Sequence, residues 1–243
     1  HLSNFRVIKI FMVKYTLTFL AFLLGLGSAN ATPVTVTSGY QVEGLGFYSG
    51  TLDYVATSST NASLTLQLTN LASTAAGGKI TAVAFNLPAE TGVSFSGLTA
   101  TGPTGFVQLG SYLDSNSLNA SPIGYFDFGL GLSNGMGTPS WLGSGSPNAG
   151  ISINNSGTFV FNFTGSNLDT LSTLSFVNAV APGYSSGPPE FIAVRFRGFT
   201  NGASDKVGGF DPVAPPVPVP ASVWLMLSGL GSLGVMSRKR KAA

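Results

Sequence analysis

Cysteine is absent from this 243-residue sequence, and histidine occurs only once, at position 1. Without thiols the chain forms neither a disulfide framework nor a thiolate metal site. His1 lies ahead of the first apolar run, outside any folded domain that the sequence predicts. Nucleophilic mechanisms that use a histidine base, and zinc sites with histidine ligands, therefore have no suitable residue in the central part of the chain.

Charge is also scarce, at 8% of residues against about 25% in an ordinary globular protein. The formal net charge of +2 arises at the two ends, where basic residues flank the apolar runs. Between those runs lie all nine acidic residues and four basic ones (Lys79, Arg195, Arg197 and Lys206), giving a net charge of −5. Nucleic-acid binding depends on clustered cations in a basic domain, so this composition disfavours it.

What the central region does contain is glycine, small hydroxyl residues and short alternating segments. Glycine accounts for 32 residues, nearly twice the average share of about 7%. Side chains that alternate between apolar and polar over five to seven residues are typical of half-buried antiparallel strands. The four clearest strand candidates are Ser63–Thr69, Lys79–Phe85, Thr158–Thr164 and Phe191–Phe199.

Weaker strand candidates fill the intervals between these four: Thr51–Thr57, Gly92–Phe95, Gly105–Leu109, Tyr125–Gly129 and Leu174–Val177. In the central region no window longer than ten residues has a helical period. Strands of this length with one apolar face normally assemble as two packed sheets. We therefore predict an all-β domain over residues 32–211, an antiparallel β-sandwich that is jelly-roll-like or immunoglobulin-like. The glycine-rich stretch Gly129–Gly150 is predicted to be a long connection.

The amino end has the pattern of a secretory signal peptide. Lys14 precedes the apolar run Leu17–Leu26, and Ala29 and Ala31 form the small-residue end that signal peptidase requires. The predicted cleavage lies between Ala31 and Thr32, with residues 12–31 as the signal helix. Met12 is a suitable start, so residues 1–11 are interpreted as an over-extended reading frame.

Few residues of the central domain offer chemistry. Trp141, Tyr125, Phe126 and Phe128 could offer an aromatic contact to a sugar ring, but core packing is the favoured interpretation for aromatics in such a domain; Trp141, in a polar loop, is the least core-like of them. Scattered carboxylates leave a two-carboxylate hydrolase as an alternative. The segment Asp205–Asp211 offers oxygen ligands for a structural calcium, but it lacks the ordered calcium-loop pattern. Arg195 and Arg197 alternate with apolar residues, which predicts a solvated outer face of one strand.

The carboxyl end has three parts in sequence. Residues 212–220 are proline-rich and predict an extended linker. Residues 221–236 carry no charge and span about 24 Å as a helix, which is short for a membrane core of about 30 Å. The basic run Arg238, Lys239, Arg240 and Lys241 predicts a cytoplasmic stop for this transmembrane helix.

This tail, residues 217–241, closely resembles the PEP-CTERM sorting signal of exported bacterial proteins, which has a Pro-x-Pro motif, an apolar helix and a basic end. The matching residues are Val217, Pro218, Val219, Pro220, Ala221, Trp224-Leu225, Ser228-Gly229-Leu230 and Arg238–Lys241. Val219 stands where the glutamate that gives the signal its name would be. Tails of this kind are also called ice-binding-protein C-terminal domains, although residues 32–211 show no regular Thr-x-Thr face.

The resemblance implies export, handling by an exosortase-type enzyme near Pro218–Pro220, and an intermediate anchored in the inner membrane. It further implies release or attachment at the surface of a bacterium that makes extracellular polysaccharide. With no catalytic constellation and no cofactor motif in the sequence, we expect a non-enzymatic matrix or adhesion protein. The alternatives are a carbohydrate-binding module and, less favoured, a carboxylate-based glycan hydrolase.

Overall fold

The computed structural model describes residues 33–133, 141 and 146–209. Twelve strands are described: β1 (Val34–Gln41), β2 (Tyr48–Ser58), β3 (Asn61–Asn70), β4 (Gly77–Phe85), β5 (Ser94–Thr101), β6 (Phe106–Gly110), β7 (Leu118–Asn119), β8 (Tyr125–Phe126), β9 (Phe128–Leu132), β10 (Ser156–Ser166), β11 (Ile192–Phe199) and β12 (Ser204–Gly209). Two 3-10 helices, Pro147–Ala149 and Leu168–Thr170, and one α-helix, α1 (Thr173–Val177), complete the described elements.

Ten strands form one sheet in the order β5-β10-β3-β2-β1-β12-β11-β4-β9-β6, and β7 and β8 pair separately. All of these pairs are antiparallel, which confirms the predicted all-β class. Strand β1 joins the two parts of the sheet, because Val34–Thr37 pair with β2 and Ser38–Gln41 pair with β12. We call β5-β10-β3-β2 the first half-sheet and β12-β11-β4-β9-β6 the second half-sheet.

The two half-sheets face each other across an aromatic core. The ring of Phe161 on β10 lies 5.9 Å from that of Phe85 on β4 and 5.1 Å from that of Phe128 on β9. Alternation in the sequence produces this inner surface: Phe159, Phe161 and Phe163 are at most 1% exposed, as are the three leucines of β3. Edge-to-face ring pairs at these distances add stabilisation beyond the burial of apolar area.

Strands β4, β9 and β11 of the second half-sheet are buried on both faces over most of their length. The outer face of this half-sheet carries Ala82, Ala84 and Ala193, which pack with Leu109, Phe126 and Trp141 in a second, smaller apolar cluster. Small side chains on this face let the chain between β6 and β9 lie close to the sheet. Strand β4 is consequently buried along most of its length, which explains why Lys79–Phe85 is an almost continuous apolar run.

The four clear strand candidates coincide with β3, β4, β10 and β11 to within one residue, and the weaker ones except Leu174–Val177 overlap strands in whole or in part. Leu174–Val177 was wrong: it belongs to α1, which begins after Ser172 and buries Phe176 against Tyr54 and Phe163. The hydroxyl of Ser175 accepts a hydrogen bond from the N–H of Ser172 at 3.1 Å and so caps the first turn. Strands β1 and β12 were not predicted. The signal helix and the transmembrane helix fall outside the described residues.

Candidate functional site

Glu190 is a buried carboxyl group two residues before β11, directly after Pro188-Pro189. Its side chain lies over Gly208 of β12, where an added Cβ would come 2.3 Å from the Glu190 carboxyl carbon. The backbone N–H of Tyr40 donates to Oε1 at 3.2 Å, and the N–H of Gly209 also donates to the carboxyl group. A glycine at position 208 is therefore a steric requirement for this placement.

Burial raises the pKa of Glu190 from 4.5 to about 7, and the two backbone N–H donors offset part of the increase. Desolvation acts in this direction because it disfavours the charged form of a carboxyl group. At neutral pH the side chain is therefore close to half protonated, so it can both donate and accept a hydrogen bond. A carboxyl group with this property in a concave site is a candidate functional residue.

A cavity of about 670 Å³ opens beside Glu190, a volume that suits a small ligand. Apolar groups such as Val180, Pro188 and Phe191 form much of its wall, while Tyr40 and Asn178 add polar atoms. Gly209, the last residue of β12, also lines it. The cavity thus lies where the described domain ends and the chain continues toward its carboxyl end.

Asp205, part of the segment considered for calcium, is committed to backbone groups. Its Oδ1 accepts from the N–H groups of Glu43 and Lys206 at 2.9 and 2.8 Å. Its Oδ2 accepts from those of Leu45 and Gly46, both at 2.8 Å. The carboxylate therefore holds the β1–β2 turn against β12. Within residues 33–133, 141 and 146–209, no three His, Asp or Glu side chains are placed to share a metal ion. Asp211 lies outside these residues.

Trp141 does not present its ring to solvent. Its side chain is 2% exposed and belongs to the second apolar cluster, with Leu109 and Phe126. The possible sugar contact at Trp141 is therefore corrected, and the ring packs in the core, the interpretation favoured for these aromatics, since the surrounding apolar residues cover it. Of the neighbouring aromatics, Phe126 and Phe128 are buried as well, and Tyr125 is 36% exposed.

The carboxyl-terminal motif is identified by comparison. Residues 216–241 match the PEP-CTERM protein-sorting motif. Neither the curated proteins nor the solved structures contain a match to the chain. The PEP-CTERM motif implies export by way of a membrane-anchored sorting intermediate and processing by an exosortase-type system. It begins seven residues after Gly209, so it belongs to the tail and not to the β domain.

Several predicted site residues lie outside the described part of the chain. They are the signal-cleavage residues Ala29, Ala31 and Thr32, the PEP-CTERM residues Val217–Ala221, and the basic stop Arg238–Lys241. Among the described residues no helix has the length and apolar character needed to cross a membrane.

The sequence analysis missed Glu190, and it placed Arg195 wrongly. Glu190 is a lone acid between two prolines and an apolar strand, and that position was the available signal that the group would be buried. Arg195 was expected on a solvated face, but it is only 8% exposed. The face is the outer one, as the alternation predicted; it is covered, however, because other parts of the chain pack on the second half-sheet.

Proposed function

We propose that this chain is an exported surface or extracellular-matrix protein. An exosortase-type enzyme receives it as a transient, inner-membrane-anchored intermediate, and the β domain has a structural or adhesive role without enzymatic activity. The single observation that carries the proposal is the PEP-CTERM match over residues 216–241. The position of the motif agrees with it, because β12 ends at Gly209 and the motif begins at residue 216, inside the proline-rich linker.

The mechanism follows from the physical character of the tail. Proline fixes the backbone and removes N–H donors, so residues 212–220 are expected to hold the domain away from the membrane. A span of sixteen uncharged residues is shorter than the hydrocarbon core, which suits an anchor that is removed more than one that persists. Arg238–Lys241 keep the end of the chain on the cytoplasmic side.

The test follows the size and location of the full chain in a bacterial host that supplies an exosortase-type enzyme. We expect the native chain to be shortened and to leave the inner membrane. A variant with Pro218→Ala and Pro220→Ala should remain there at its precursor size. A matched control with Pro212→Ala and Pro215→Ala alters the same linker outside the motif and should behave as the native chain does. If size and location are the same in all three chains, the tail is only an anchor and the proposal fails.

A carbohydrate-binding module is the second candidate, and the cavity beside Glu190 is what favours it. Tyr40 offers an aromatic side chain there, while Asn178 and Glu190 offer hydrogen-bonding groups. Glu190→Gln should weaken binding of a neutral oligosaccharide, and Glu43→Gln, at an exposed position, should not. Release of reducing ends in the same samples would instead indicate the glycan hydrolase.

A further inference from the structure

A second cavity, of about 470 Å³, opens where β4 ends and β9 begins. Three connections form most of its wall: residues 86–90 after β4, residues 115–116 before β7, and residues 178–182 after α1. Asp127, between β8 and β9, also lines it. We call this cavity the loop cavity. Its lining contains two carboxylates, those of Asp127 and Glu90, and no basic side chain.

The pairing of β4 with β9 brings Asn86 and Asp127 side by side. Phe85 is directly opposite Phe128, and the same register continued by one residue places Asn86 opposite Asp127. Residues that face each other in this way have Cβ atoms about 4.5–5.5 Å apart and project to the same side of the sheet. Both side chains are more than nine-tenths buried, at 6% and 8% exposed. The strands therefore hold an amide and a carboxylate together at the wall of the loop cavity.

The amide of Asn86 has an acceptor without a partner. Its Nδ2 donates to the carbonyl of Tyr125 at 3.4 Å, but its Oδ1 is buried and has no hydrogen-bond partner within the described residues. A buried acceptor in this state costs free energy, and native proteins rarely contain one. A cation or a hydrogen-bond donor in the loop cavity would satisfy this oxygen.

Asp127 retains capacity for the same ligand. Its Oδ2 accepts from the N–H of Leu87 at 2.8 Å, and its Oδ1 accepts from the N–H of Asn116 at 2.7 Å. A carboxylate can accept about four hydrogen bonds, so these two donors leave about one lone pair on each oxygen. Asp205, in contrast, accepts four backbone hydrogen bonds. Asp127 is thus oriented by two connections while both of its oxygens can still bind a ligand.

The charge of the loop cavity favours a cation over a neutral donor. Glu90 adds a second carboxylate from an exposed position of the wall. A neutral donor would leave both negative charges uncompensated, including that of the buried Asp127, whereas a divalent cation compensates both. Calcium binds amide, backbone and water oxygens as well as carboxylates. Although no three His, Asp or Glu side chains come together in the described part of the chain, two carboxylates and an amide are therefore a sufficient start for a calcium site.

We propose that the loop cavity binds a calcium ion through Asn86 Oδ1 and the carboxylates of Asp127 and Glu90. The cavity is larger than the ion, which leaves room for the water oxygens that complete a calcium coordination shell. Because Leu87 and Asn116 donate to the same carboxylate, the ion strengthens the link between the β4–β5 and β6–β7 connections. The inference goes beyond the proposed function, since neither sorting nor adhesion requires a metal ion.

The experiment follows the Tm of the purified, EDTA-treated full chain as calcium chloride is added, with magnesium chloride as the comparison at equal ionic strength. For a dissociation constant of about 10⁻⁴–10⁻³ M, the range of extracellular calcium modules, calcium at about 10 mM should raise the Tm by about 3–10 °C. Magnesium should raise it less, because it requires stricter octahedral geometry.

Two carboxylate variants test the site without disturbing a buried residue. Glu90→Gln removes an exposed carboxylate from the wall, so about tenfold more calcium should be needed for the same rise in Tm. Asp114→Asn makes the same change in net charge at an exposed position of the β6–β7 connection that does not line the loop cavity. Its response to calcium should equal that of the native chain.

Asn86 is tested by two substitutions. Asn86→Leu removes the unpartnered oxygen and should also require about tenfold more calcium. Asn86→Asp keeps the shape of the side chain and adds a negative charge beside Asp127. Its Tm should be lower than that of the native chain without calcium, and calcium should raise it by more. If Asn86→Leu does not fold, Glu90→Gln and Asn86→Asp still decide the question.

Each other outcome overturns the proposal. An absent response to calcium, or an equal response to magnesium, would show that the cavity does not select this ion. An unchanged calcium response in Glu90→Gln would exclude the loop cavity, and equal weakening by Asp114→Asn would show a response to net charge alone. A response lost in Asp205→Asn but retained in Glu90→Gln would place the ion at the β1–β2 turn. The sorting experiment does not involve calcium, so the two proposals are tested separately.

Discussion

Each side of the second half-sheet carries a buried charged residue, and the two residues differ in their hydrogen bonds. On the inner side, Asp205 of β12 accepts four backbone hydrogen bonds of 2.8–2.9 Å. On the outer side, Arg195 of β11 is almost as buried, and two of its nitrogens have no acceptor within the described residues. Backbone N–H groups therefore compensate the charge of Asp205, which holds the β1–β2 turn against β12. Two nitrogens of Arg195 receive no such compensation from the described part of the chain.

Substitutions on the inner side should lower the free energy of unfolding more than substitutions on the outer side. The largest loss is expected in the aromatic core. Phe161→Ala removes a ring that contacts both Phe85 and Phe128 across the half-sheets. We expect the free energy of unfolding to fall by about 3–5 kcal/mol, measured by chemical denaturation. Asn162→Ala, the exposed neighbour on the same strand, should change it by less than about 0.5 kcal/mol. Similar losses for the two variants would mean that the half-sheets do not share this core.

Asp205→Asn tests the compensated charge. The amide keeps the shape of the side chain but places an NH2 group against backbone N–H donors and removes the negative charge that strengthens their hydrogen bonds. We expect a loss of about 3 kcal/mol in the free energy of unfolding. Glu43→Gln changes an exposed carboxyl group in the same turn and should be nearly neutral. A calcium-dependent stability that disappears in Asp205→Asn would contradict the assignment of Asp205 to backbone donors.

The inner side was also the easier to predict from sequence. Alternating Phe in β10 and alternating Leu in β3 indicate a buried face, because a strand directs successive side chains to opposite sides. In β12 only Val207 is strongly apolar, and Asp205, two residues earlier on the same face, is an acid whose burial no sequence pattern indicates. The outer face of the second half-sheet carries small residues such as Ala82, Ala84 and Ala193, so its burial depends on what packs over it. That is tertiary information, and it decides the burial of Arg195, Trp141 and Glu190.

Glu190, a buried acid on the outer side, should make the free energy of unfolding depend on pH. The folded protein releases the Glu190 proton with a pKa of about 7, and the unfolded chain releases it near 4.5. Between these values the folded state holds more protons, so the free energy of unfolding falls as pH rises from about 4.5 to 7 and then levels off. We expect a contribution of about 2 kcal/mol, less than full linkage because the cavity admits solvent. Glu190→Gln should lack this fall when both chains are unfolded by urea across this range, and Glu43→Gln should retain it.

Arg195→Met gives the smallest expected change and the most direct test of the contrast with Asp205. Methionine keeps the unbranched apolar stem and removes a buried cation that faces Arg197 and Lys206. In dilute sodium chloride, we expect the variant to be as stable as the native chain or more stable by about 1 kcal/mol, because a buried charge without compensation is unfavourable. Lys79→Met, at a half-buried position, should lie within about 0.5 kcal/mol of the native chain. A loss of more than about 2 kcal/mol for Arg195→Met would mean that the folded chain itself compensates the guanidinium. The outer face would then resemble the inner one, and Arg195 would be a structural residue.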